Sequence, residues 1–92
     1  MTETFTSSAL CGGEPLRPET ITITDIIVTW TQRNGIFSRK TIHIQKHTIN
    51  SVQIIEKLVG AEIIIESIGT SYIYASHFTK SDARRIKNIL IA

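Results

Sequence analysis

Apolar and polar residues alternate in short runs along most of this chain, as in ITIT, IVTW, IHIQ and YIYAS between Thr20 and Ser76. A side-chain period of two belongs to strands with one face buried and one face wet. The residue types agree with the period: 18 of the 92 residues are Ile and 12 are Thr. Both are β-branched, stiff at χ1 and suited to a pleated surface. The chain is therefore expected to be mainly β. Ninety-two residues make one small domain, which buries roughly 60–65% of the surface its unfolded form exposes.

The alternation is broken at informative places. Ile21 and Ile23 lie on one face, but the next apolar set is Ile26, Val28 and Trp30, so the phase flips from odd to even across Thr24–Asp25. A bend or bulge is expected there. Asn34–Gly35 is the strongest turn signal in the chain. A two-residue turn would set the apolar side chains of one strand against the polar ones of the next. A three-residue loop, Arg33–Asn34–Gly35 with Gly35 left-handed, restores the match and places Ile26 opposite Ile42 and Val28 opposite Lys40.

The return strand, about Ile36 to Lys46, turns Ile42 and Ile44 inward and Arg39, Thr41, His43 and Gln45 outward. After a break at His47–Asn50, Val52 and Ile54 resume the inner face. Glu62–Glu66 and Tyr72–Ser76 form a further pair of strands around Gly69. The period then changes: Ala83, Ile86, Ile89 and Leu90 make one stripe of a C-terminal helix, with Thr79 as its N-cap and Asp82 at N3.

Residues 1–19 differ in character. They hold Gly12–Gly13, both prolines and few apolar residues, which marks a flexible N-terminal segment ahead of a domain spanning residues 20–92. Thr4, Phe5 and Thr6 offer an edge strand within it.

The segment Thr24–Asp25, then a strand, a Gly turn, SRKTIHI, the Ile49 and Val52 spacing, another Gly and an Ile-rich strand resembles bacterial pleckstrin-homology-like (PH-like) domains. The resemblance covers about residues 20–90 and rests on short motifs. It implies an antiparallel split barrel or roll of six to seven strands capped by a C-terminal α-helix. It also implies a non-catalytic module that binds proteins or itself as a homo-oligomer. There are departures: Ile27 stands where the family often has Arg, only six strands are plain, and a seventh must come from residues 1–10. The hairpin carries Arg33, Arg39 and Lys40 without the R-x-R spacing of phosphoinositide-binding relatives, so a phosphoinositide ligand is not supported.

Charge narrows the remaining options. The chain carries a formal +2; residues 1–19 are net −2 through Glu3, Glu14, Arg17 and Glu19, which leaves +4 on the rest. That balance is too small to imply nucleic acid or an anionic membrane by itself. Cys11 is the only cysteine, so no internal disulfide forms. No apolar run reaches the length of a membrane span, and the N-terminus lacks the basic and apolar regions of a signal peptide. A cytoplasmic protein is expected.

Two surfaces are candidates for binding a ligand or partner. Arg33, Arg39, Lys40 and Lys46, with His43 between them, form a basic hairpin that suits phosphate or an acidic partner. The plainer alternative is a solvated strand whose lysines guard an edge. Tyr72 and Tyr74 share one face of a strand and, with the basic hairpin, would suit a small nucleic-acid-binding barrel. The alternative is tyrosines covering a core with their hydroxyls in water. His43 and His47 are four apart, but on a strand they would sit roughly 13 Å from each other, too far to share an ion. No metal, cofactor or catalytic constellation is expected, and no enzyme.

Overall fold

The computed structural model describes residues 2–13 and 15–91. The alternating segments form seven strands and the final stripe a helix. Strands β1 (Glu3–Thr6), β2 (Glu19–Ile23), β3 (Ile27–Asn34) and β4 (Ser38–Gln45) make one antiparallel meander, and β5 (Ile49–Glu56), β6 (Ala61–Ser67) and β7 (Tyr72–Phe78) make a second. Helix α1 (Lys80–Ile91) follows. The architecture is a helix-capped β-roll of two sheets that share a core; it is not a closed barrel.

Registers explain why the core sits between the sheets. In the first sheet Phe5, Ile21, Trp30 and Ile42 form one row across four strands, and Ile23, Val28 and Ile44 form the next. In the second sheet Val52, Ile65 and Ile73 line up across three strands. All of these side chains face one cluster, which Ala83 and Ile86 of α1 close from one end. The Thr79 hydroxyl caps the helix by accepting from the Asp82 amide at 3.1 Å. Arg84 and Arg85 are exposed on the helix. They pair with Glu56 of β5 at 2.6 Å and Glu3 of β1 at 3.1 Å, fastening the helix to both sheets.

Two details of the sequence reading are corrected. The phase flip at Thr24–Asp25 is a full hairpin, not a bend. The Thr24 amide donates to the Ile27 carbonyl at 2.9 Å, and its hydroxyl accepts from the Ile27 amide at 3.1 Å. Odd positions of β2 thereby pair with even positions of β3, and Ile26 is left in the turn, 75% exposed. Secondly, the β3–β4 loop is Gly35–Ile36–Phe37, closed by the pair Asn34 and Ser38. Its odd length and left-handed Gly35 (φ 69°) agree with expectation, but the register differs. Val28 meets Ile44 and Trp30 meets Ile42. Pairing apolar side chains along the whole inner row outweighs the better local turn, which would have set Val28 against Lys40.

The edge strand offered by Thr4, Phe5 and Thr6 is present. The seventh strand is β1, an edge strand antiparallel to β2, and β2 begins at Glu19, one residue before the expected domain boundary. Beyond β1 the Ser7 amide donates to the Glu19 carbonyl at 2.8 Å and the Ser8 amide to the His77 carbonyl at 2.7 Å. This short crossing joins the two sheets.

Candidate interaction surfaces

The chemistry that the inner faces contain is structural. Glu19 is 5% exposed and is the one buried charged or polar residue among those described. Its carboxylate accepts from Trp30 Nε1 at 3.0 Å, from the Ser76 amide at 3.3 Å and from the Ser76 hydroxyl at 3.0 Å. A buried acid with both oxygens engaged stitches β2, β3 and β7 together. The pattern could have revealed it: Glu19 lies in phase with Ile21 and Ile23, at an inner position.

The three histidines are dispersed. His43 Nδ1 is 2.9 Å from the Thr29 hydroxyl on the outside of the first sheet, and His47 lies in the short turn Lys46–Thr48. His77 sits in a bulge of β7 with φ 67°, where its ring Nδ1 is 3.1 Å from the Cys11 carbonyl. Among the described residues no three His, Cys, Asp or Glu side chains come together as metal ligands. No described helix is long and apolar enough to cross a membrane.

The seven residues singled out in the sequence fall into separate places. Arg33 and Arg39 are direct cross-strand partners, with His43 four rungs further along, on the same outer face of the first sheet. Lys40 pairs with Gln32, beyond the end of the buried row, and Lys46 lies at the far end of β4, its amide donating to the Ile26 carbonyl at 2.9 Å. Tyr72 and Tyr74 belong to β7, on the outside of the other sheet. The structure places Arg33 beside Arg39 on the outer face, with Lys40 on the next rung and the opposite face, and brings the two tyrosines together. It does not join the two groups.

The tyrosine face is the better developed surface. Register sets Gln53, Ile64 and Tyr74 in one row across β5, β6 and β7, with Ser51, Glu66 and Tyr72 in the next and Ile55 beside Glu62. Tyr72 is 59% and Tyr74 47% exposed. A shallow cleft of about 390 Å³ lies between them, Ile64, Glu66 and the turn Gly69–Ser71. Carboxylates border the apolar patch. The Tyr74 hydroxyl beside Glu62, with Lys57 Nζ at 2.9 Å from the same carboxylate, holds Glu62 below the ordinary carboxylate range. In return, Glu62 and partial burial push the Tyr74 phenol up.

Comparison with family models, curated proteins and solved structures finds no match to this chain. The class is therefore the one that the fold itself defines: a mainly β, two-sheet roll capped by a C-terminal helix.

Proposed function

We propose that this protein is a non-catalytic, cytoplasmic binding and assembly module of PH-like type, and that it contacts protein, a second copy of itself first, through the outer face of β5, β6 and β7. The observation that carries the reading is the row Gln53–Ile64–Tyr74 with Tyr72 and Ile55 around it. Outward positions of a sheet facing only water are ordinarily polar, and a contiguous apolar and aromatic set there suits an interface. The four-plus-three meanders and terminal helix support the PH-like part of the proposal.

The nucleic-acid alternative draws less support. It needs the tyrosines and the basic hairpin on one continuous path, and they occupy the outsides of different sheets.

Light scattering on the purified protein tests the assembly reading. The wild type is expected above monomer mass, and Tyr74→Glu or Ile64→Glu is expected at monomer mass with an unchanged circular dichroism spectrum. A wild type that stays monomeric at high concentration and takes up no protein partner through this face would overturn it.

A further inference from the structure

A surface on the first sheet complements the tyrosine cleft in shape and in charge. The β3–β4 hairpin ends in Ile36 and Phe37, 82% and 94% exposed. Hairpin tips are usually polar, and this one is not. The tip is held in place from behind: the Gly35 amide donates to the Leu16 carbonyl at 3.1 Å and the Arg33 amide to the Pro18 carbonyl at 3.2 Å. Arg33 and Arg39 flank it as direct cross-strand partners. Like charges in direct opposition disfavour a strand pair unless an external anion offsets them. Among the described residues no carboxylate pairs with either guanidinium.

The cleft on the second sheet has the opposite character. It is concave and mainly apolar, bounded by Ile64, Tyr72, Tyr74 and the turn Gly69–Ser71. Glu66 also lines it, is exposed, and has no cationic partner among the described residues. Glu62 at the border is already paired with Lys57. One chain cannot join its own tip to its own cleft. The tip lies at the Ser38 end of β4, whereas the turn beside the cleft is tied just past the Gln45 end, where the Ile68 amide donates to the Thr48 carbonyl at 2.8 Å. The eight residues of β4 separate these ends by about 25 Å.

We propose that the protein assembles head to tail: the β3–β4 tip of one copy seats Phe37 in the tyrosine cleft of the next, with Arg33 and Arg39 against the Glu66 of that copy. This rests on the assembly role given above to the outer face of β5, β6 and β7, and names the surface that meets it. A face-to-face pair of clefts would bring two Glu66 carboxylates to one interface and leave Phe37 in water. Seating the tip in the cleft covers both apolar surfaces and matches the unpaired charges of each. The contact is heterologous, because its two sides are different patches. Tip and cleft lie at opposite ends and on different sheets, so two copies do not satisfy both pairs at once. Each added copy still offers one side of the contact, and the assembly grows into a ring or a filament.

Mixing two complementary variants of the full chain tests it. Phe37→Ser with Arg39→Glu removes the tip and keeps the cleft, and Tyr74→Glu does the reverse. Each alone is expected at monomer mass by light scattering, and an equimolar mixture at dimer mass, since one tip and one cleft remain. Wild type should exceed dimer mass as concentration rises and dissociate as salt rises. Phe37→Ser by itself should weaken association about tenfold. Glu66→Arg mixed with Arg33→Glu, Arg39→Glu should associate where each alone does not. These positions are exposed, so an unchanged melting temperature confirms that each variant is folded. A tip variant that associates as wild type does would overturn the head-to-tail contact and leave the tyrosine face as an assembly surface. So would a wild type that stops at a dimer, or a mixture that stays monomeric while wild type assembles. A wild type that is monomeric at high concentration would overturn both this contact and the assembly role on which it rests.

Discussion

The two sheets bury one face each in the same core, yet they carry surplus apolar side chains in different places. In the first sheet the outer face is polar apart from Ile27, with Thr29, Thr31, Thr41 and His43, and exposed apolar side chains sit in the turns as Ile26, Ile36 and Phe37. In the second, Ile55, Ile64, Tyr72 and Tyr74 lie in mid-sheet, bordered by Glu62 and Glu66, and Leu58, Val59 and Ile68 are exposed in its turns. A flat patch with acidic borders suits a folded protein surface. The sheets also differ in how they use carboxylates: Glu19 is locked inside the roll, whereas Glu62 stands at the outer surface beside Tyr74 and Lys57.

Inner and outer positions of one strand should separate most strongly. Ile63→Ala removes a side chain with no exposure from the core and is expected to cost about 2–5 kcal/mol in urea denaturation. Its neighbour Ile64 points outward, and Ile64→Ala should cost less than about 1 kcal/mol in the same experiment. Equal losses would mean that both faces of β6 are covered within the monomer, and would remove the assembly surface.

The carboxylate contrast comes next. Glu19→Ala leaves Trp30 Nε1 and the Ser76 donors without their acceptor and should destabilise by about 2–3 kcal/mol, with Glu19→Gln intermediate. Glu62→Ala should stay within about 0.5 kcal/mol, because its ion pair with Lys57 is at the surface. A large effect at Glu62 would reverse the assignment of the two acids.

The smallest effect is on titration. Tyr74→Phe should raise the Glu62 pKa toward its ordinary value, read by carboxyl-carbon NMR. Because the folded value is depressed below 4.5, the associated stability is present above that pH and is lost as pH falls through the folded pKa. Tyr74 has the opposite sign: its pKa is raised above 10.0, so its contribution is present below that pH and lost as pH rises through the folded value. An unmoved Glu62 in Tyr74→Phe would leave Lys57 as the dominant neighbour.

Much of this fold is legible in the residues. Alternation identified Ile42, Ile44, Val52 and Ile54 as inward, and the capping hydroxyl of Thr79 marked the helix start. The β3–β4 register was less legible because turn chemistry at Asn34–Gly35 favours one pairing locally while Trp30–Ile42 and Val28–Ile44 favour another over the whole strand. That shift of the loop is what turns Ile36 and Phe37 from strand residues into an exposed tip. Glu19 escaped notice as a site because a charged side chain near a Gly- and Pro-rich segment reads as surface until its partners are known. Those partners lie 11 and 57 residues away.

Period and residue type alone determine that the chain is mainly β, that one face of each strand is buried and that a helix ends it. These are local properties, set by side-chain geometry over two to four residues. Tertiary structure alone decides which strands become neighbours, that Glu3–Thr6 completes the first sheet, and that Arg33 and Arg39 lie beside Phe37 at one end while Tyr72 and Tyr74 face away on the other sheet. The reason is that register and sheet partition follow from the sum of long-range apolar pairings, and no single segment contains that sum.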